Sequence, residues 1–187
     1  MSELRLDGKV VLKDGRKVSL RAYMPSDIDA LVSMYASLSE ETLKWSLPPY
    51  DRQKIERWAT NLSSKIMLVA LSNDKIVGHL LVFTDPNERL RGIGELIIYL
   101  HQGFQNVGLG AAMMVESLAQ SRARGWHRVH LTVVADNQRA VRLYEKIGFR
   151  REGLSRDSYF GSDGRYHDMV EMAILLLRLN APGKLER

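Results

Sequence analysis

Gln105-Asn106-Val107-Gly108-Leu109-Gly110 lies between an apolar run, Glu95 to Leu100, and a long apolar-faced stretch from Gly108 to Arg124. The reading of this turn decides the fold. Its two glycines stand where a helix begins, and the first amides of a helix lack internal partners at the positive end of its dipole. A strand, a glycine turn and a helix in that order suit a phosphate-bearing ligand. A plainer reading is a helix entry that only needs tight packing. Two rival phosphate motifs fail on detail. A P-loop needs Gly-Lys-Ser/Thr, and here Ala111-Ala112 follows. A dinucleotide fingerprint wants a third small residue where Met113 stands, and an acidic one about 20 positions on, where the chain has Arg128.

Upstream of the turn, Val10-Val11-Leu12 and Val18-Ser19-Leu20 flank Asp14-Gly15, a hairpin signal. Pro25-Ser26-Asp27 reads as a helix start, with Ile28, Leu31, Val32 and Tyr35 on one face. Ser39-Glu40-Glu41-Thr42 is a second helix entry, and Pro48-Pro49 breaks what precedes it. Asp51 can cap a helix carrying Ile55, Trp58, Ala59 and Leu62. Ile66 to Leu71 and Ile76 to Phe83 read as strands joined through Asn73-Asp74.

Downstream, the helix from Gly108 ends at Gly125 with Arg122 and Arg124 in its last turn. Arg128 to Val134 is a strand, and Asn137 to Ile147 a helix closed by Gly148. Two further strands surround Ser162-Asp163-Gly164, the second running from Asp168 to Leu177, and the last few residues read as frayed. The pattern is a mixed α/β domain in which helices interrupt a largely sequential sheet.

The 187 residues suit one domain, and 45% hydrophobic with 26% charged residues is ordinary for a globular protein. With no cysteine, the chain has no disulfide, thiolate metal site or cysteine nucleophile. The net charge of +5 is scattered among acidic residues rather than gathered in a stripe. A nucleic-acid partner is therefore not expected. Met1 to Asp7 interrupts its apolar residues with charge, which leaves no signal-peptide core, and no run is long enough to span a bilayer. The expected location is the cytoplasm.

The residues now resemble one family, the GNAT superfamily of acyl-CoA-dependent N-acyltransferases. Gln105 to Gly110 is similar to its Gln/Arg-x-x-Gly-x-Gly/Ala signature. Val133 to Phe149 contains Asn137, Ala140, Leu143, Tyr144, Gly148 and Phe149 at the spacing of its Asn-x-x-Ala-x-x-Leu-Tyr-x-x-x-Gly-Phe segment. Asp163 to Met169 resembles the closing hairpin of many members. The resemblance covers residues 18 to 177, in outline only before residue 66. It implies a mostly antiparallel sheet of about seven strands flanked by about four helices, with a cofactor cleft between the fourth and fifth core strands. The implied layout of residues 1–187 is one acetyltransferase domain. It comprises an N-terminal hairpin (8–22), acceptor-side helices (26–63), an acetyl-CoA core (66–149) and a C-terminal strand hairpin (150–177).

The resemblance also assigns residues. The amides of Asn106, Val107, Gly108, Leu109, Gly110 and Ala111 bind the pyrophosphate of coenzyme A, with Gln105 opening this cofactor-binding turn. Ile98, Tyr99 and Leu100 run beside the pantetheine arm, with a bulge that aims one N–H at the thioester carbonyl. Asn137 bonds the arm, and Tyr144 donates a proton to the departing thiolate. Each has a plain alternative: a core strand, a helix cap for Asn137, and a core aromatic for Tyr144, which shares a face with Ala140, Leu143 and Ile147. The chemistry also needs a base, because a lysine-like amine of pKa about 10.4 is neutral less than roughly one part in a thousand at pH 7. Glu95 is the candidate, at the offset where bacterial and archaeal protein acetyltransferases carry a catalytic glutamate; otherwise it is a surface carboxylate. Members that acetylate a ribosomal amino terminus carry a glutamate five residues before the asparagine, where this chain has Thr132.

Acceptor specificity is expected in residues 26 to 63 and near 157 to 168. Trp45, Tyr50, Trp58, Tyr159 and Tyr166 are candidate walls, with Asp157 and Asp168 as partners for a cationic amine. The leading expectation is acetyl transfer from acetyl-CoA to a protein lysine by direct attack in a ternary complex. A small amine or amino acid is the alternative acceptor, and a non-catalytic acyl-CoA sensor the alternative class. No metal is expected, and a homodimer is left open.

Overall fold

The structure, a computed structural model, describes residues 8–176. The expectations for Met1 to Asp7, for Leu177 and for the frayed tail lie outside the described residues. Strands β1 (Gly8–Val11) and β2 (Lys17–Ala22) form the expected hairpin over Asp14-Gly15. A short 3-10 turn at Pro25–Asp27 leads into α1 (Ile28–Ala36). Asp27 locks that junction. Its carboxylate accepts two hydrogen bonds from the Arg21 guanidinium, at 2.6 and 2.7 Å, and one from the Met24 N–H at 2.8 Å.

Helix α2 (Glu40–Leu43) starts where expected, with Ser39 Oγ accepting from the Thr42 N–H. Asp51 caps α3 (Arg52–Trp58) by accepting from the Lys54 N–H at 2.7 Å. Strands β3 (Lys65–Ser72) and β4 (Lys75–Thr84) join through Asn73 and Asp74, both left-handed as a tight hairpin turn requires. After β5 (Ile93–Leu100) come α4 (Leu109–Ala123), β6 (Arg128–Val134) and α5 (Gln138–Ile147). The chain closes with β7 (Arg150–Phe160) and β8 (Tyr166–Leu175), so the last strand starts two residues before the expected Asp168.

The sheet order is β1-β2-β3-β4-β5-β6-β8-β7, antiparallel throughout except for β5 and β6. Eight strands and five α-helices are present among the described residues, against about seven and four expected; β1 and the four-residue α2 make the difference. Counted from β2, the fourth and fifth strands are β5 and β6. Their parallel pairing covers only Ile93↔Arg128, Gly94↔Val129 and Glu95↔His130. Beyond Glu95 the two strands part.

Two apolar layers sandwich the sheet. One joins Leu96, Ile98 and Leu100 of β5 to α4 and α5 through Leu109, Met113, Met114, Val141 and Phe149. The other joins Ile97 and Tyr99 to α1 and α3 through Leu31, Met34, Tyr35 and Ile55. Alternate side chains of a strand face opposite sides. Glu95 therefore shares the α1–α3 face with Ile97 and Tyr99. His130 and Thr132 also point there, because Val129, Leu131 and Val133 belong to the α4 layer. None of the described helices is long and apolar enough to cross a membrane.

Candidate active site

The turn that opens α4 is built from backbone. Asn106 (φ 62°) and Gly108 (φ 93°) are both left-handed, and no side chain caps the helix. Its first internal bond runs from the Ala112 N–H to the Gly108 carbonyl. The amides of Asn106 to Ala111 have no protein acceptor among the described residues. They are the row of free donors that an anion at a helix start requires. Gly108 is needed for its positive φ. Gly110 is closely packed: a Cβ there would stand 3.3 Å from Leu100 and 3.4 Å from Leu143. The turn thus combines free amides with a closely packed glycine, the features that the two readings call for.

Lys13 was missed from sequence. The tip of the β1–β2 hairpin docks on the turn through a bond from the Lys13 N–H to the Val107 carbonyl, 3.0 Å. The Lys13 stem lies over Gly108, 3.7 Å from where its Cβ would be. Arg16 ties the same hairpin down by donating to the Gly103 carbonyl at 2.7 Å. The long separation in sequence, 87 residues between Arg16 and Gly103, hides this from any local pattern.

Gln105 reaches sideways. Its Nε2 donates to Thr42 Oγ1 and the Leu100 carbonyl, and its Oε1 accepts from Arg139 at 2.7 Å. It thereby ties α2, the end of β5 and the start of α5 around the mouth of the strand gap.

The β5 edge supplies further free groups. The His101 N–H bonds the Val77 carbonyl on β4, and the ladder alternates, so Tyr99 and Ile97 also turn their amides to β4. Ile98 and Leu100 turn theirs toward the gap. The expected bulge is absent: β4–β5 pairing runs without a shift from Gly78↔Leu100 to Thr84↔Gly94. The divergence of β6 exposes the edge instead, with no extra residue in β5.

Asn137 is the N-cap of α5, its Oδ1 accepting from the Ala140 N–H at 3.3 Å, so the capping reading holds. Tyr144 packs against Phe149 and the α4 layer, and burial pushes its phenol up to about 12. Tyr99 joins a second group of rings with Tyr35, Tyr50, Trp58 and His79. Its hydroxyl meets that of Tyr50 and is held far above the usual phenol range, first by burial and then by the nearby Tyr50, Tyr144 and Tyr159 hydroxyls. His79 is fully buried beside Tyr35, which depresses its pKa to about 3 and keeps it neutral. Tyr50 and Trp58 therefore serve the packed interior between α1, α3 and β5.

Glu95 sits half-buried at the point where β5 and β6 part. Its register neighbour His130 lies on the same face, a pairing no sequence spacing announces. Thr132 faces Glu171 across β6 and β8.

A strap from Lys44 to Tyr50 crosses this side. The Tyr159 hydroxyl on β7 shares its one proton between the Lys44 and Ser46 carbonyls, 2.8 and 2.9 Å away, and the Leu47 N–H donates to the Tyr50 hydroxyl. Between the strap and the tip of the β7–β8 hairpin lies an open cavity of about 490 Å³. Trp45 and Tyr166 wall it as expected, but its carboxylates are Asp136 and Asp163. Asp157 and Asp168 do not take that part: Asp168 accepts from the Asp157 N–H at 3.0 Å, which holds a left-handed residue in β7.

The arrangement has known counterparts. The Acetyltransferase (GNAT) family matches residues 31–149, more than half of the chain. This protein belongs to that family and is an acetyltransferase. Among its relatives, the L-amino acid N-acetyltransferase AaaT of Escherichia coli K12 is 30% identical over 67% of this chain and 76% of its own. The mycothiol acetyltransferase of Paenarthrobacter aurescens is 31% identical over 75% of this chain but only 44% of its own. A GNAT acetyltransferase from Streptococcus pneumoniae superposes with TM-score 0.75 at 30% identity, over 84% of this chain and 98% of that one. The structure of yncA from Salmonella typhimurium with its cofactor acetyl-CoA gives TM-score 0.77 at 21% identity, over 90% and 99%.

Proposed function

We propose that this chain transfers the acetyl group of acetyl-CoA to the primary amine of a small molecule, by direct attack within a ternary complex. The observation that carries this reading is the parting of β5 and β6 after Glu95↔His130, beside the unpartnered amides of Asn106 to Ala111. A diphosphate fits that amide row, and a pantetheine arm fits the open edge at Ile98 and Leu100. The thioester supplies the activated acyl group.

Glu95 takes the proton of the attacking amine, with His130 beside it on the same face. Tyr144 acts on the leaving sulfur, but as a hydrogen-bond donor more than as an acid. Its phenol at about 12 lies some 3–4 units above a thiol near 8.5, so full transfer is uphill by about 5 kcal/mol. A buried phenol that keeps its proton still stabilises a nascent thiolate.

Sequence alone favoured a protein lysine. The open cavity of about 490 Å³ beside a strap pinned by Tyr159, within the volume range of small-ligand pockets, instead supports a small amine. Supplying the protein with acetyl-CoA and separate pools of cellular metabolites and cellular proteins tests this. Thiol release and acetylated product are expected with the metabolite pool. Acetylation confined to the protein pool would overturn the small-amine reading while leaving the donor site intact.

A further inference from the structure

The charges around the strap cavity do not balance, and the remainder identifies what the cavity takes. His167 lies between two carboxylates, its Nδ1 2.6 Å from Asp136 and its Nε2 3.0 Å from Asp163. A ring with an acceptor at each nitrogen donates from both, so the imidazole is a cation. Arg165 bonds Asp163 at 2.9 Å. Two carboxylates are thus matched by two cations.

Lys44 remains. Its ammonium rests 4.8 Å from the centre of the Trp45 ring, and no carboxylate among the described residues lies within salt-bridge distance of it. The cavity lining therefore carries one uncompensated positive charge, set over the Trp45 ring, with Tyr166 as its other aromatic wall. Its complement is a single anionic group on a small, partly apolar body.

The cavity also adjoins the site of transfer. Trp45 and His167 both pack on Tyr159, each with ring centres 6.3 Å apart. The strap that Tyr159 holds leads on to β5, because the Leu47 N–H donates to the Tyr50 hydroxyl and that hydroxyl meets the one on Tyr99.

The geometry points to Lys44 as the carboxylate-recognising residue of the acceptor site, and to an amino acid as the acceptor, its carboxylate on Lys44 and its side chain against Trp45 and Tyr166. This rests on the small-amine reading above and sharpens it.

Matched acceptors that differ only in the carboxylate provide the test, such as phenylalanine with phenethylamine and lysine with cadaverine. Wild-type protein is expected to favour the carboxylate-bearing member by at least tenfold in kcat/KM, mostly through KM. Lys44→Met is expected to erase that preference with KM for acetyl-CoA unchanged, and Lys44→Arg to keep it. Equal rates on both members, or a preference that survives in Lys44→Met, would overturn the assignment and leave the small-amine reading standing. If no small amine is acetylated while acetyl-CoA still binds, both fall.

Discussion

Glu95 and Tyr144 lie on opposite faces of the sheet, and if both act on the thioester as proposed, their substitutions should separate. Glu95→Gln keeps the size and removes the base. It should lower kcat by about 100-fold or more with little change in acetyl-CoA affinity, the usual range for a positioned general base. Single-turnover rates and a binding isotherm on the same variant check this; an unchanged rate across pH 6 to 9 would remove Glu95 from the mechanism. Tyr144→Phe deletes a hydrogen bond to a developing anion, worth about 1.5–3 kcal/mol, so kcat should fall roughly 10- to 150-fold. Because the phenol titrates near 12, the wild-type rate should show no loss attributable to Tyr144 ionisation below about pH 10. A basic limb near pH 8 that vanishes in Tyr144→Phe would contradict the hydrogen-bond role.

Among the elements, the β7–β8 hairpin carries a titrating contact. Asp163 and then Asp136 raise the pKa of His167, and His167 with Arg165 holds the Asp163 carboxyl well below its usual range. A pKa raised on folding gives stability that is complete below the unfolded value of about 6.5 and fades as pH climbs through the folded one. The lowered pKa of Asp163 works in the other direction, its contribution fading only as pH falls below about 4. The melting temperature of His167→Gln should therefore trail wild type most near pH 5–6, with the gap closing toward pH 9. A gap that widened with pH would contradict the charged contact.

Elements are also where sequence spoke most clearly. Asp14-Gly15, Asn73-Asp74, Ser39, Asp51 and Gly148 each mark a turn or cap that depends on a few adjacent residues, and each stands where expected. The candidate site was legible in its local features: the unpartnered amides after Gln105, and the Asn137 cap that starts the helix carrying Tyr144. It was not legible where distant strands meet. Lys13 over Gly108, His130 beside Glu95 and the Asp136–His167–Asp163 contact all depend on sheet register, which no short motif records. The bulge expected in β5 fails for a related reason, since the free edge comes from β6 turning away.

At the scale of the molecule, one departure from regular pairing organises everything else. The sheet is continuous on the β4 side of β5 and interrupted on the β6 side after three residue pairs, and α4 begins beside the opening. Backbone groups that a complete sheet would satisfy are left without a strand partner, and the proposed donor site uses them. Amide hydrogen exchange, resolved by residue with and without coenzyme A, tests this directly. Slowed exchange is expected at Ile98, Leu100 and Asn106 to Ala111, with Ile97 and Tyr99, already bonded to β4, unchanged. Uniform protection along β5, or none at residues 106 to 111, would contradict the account.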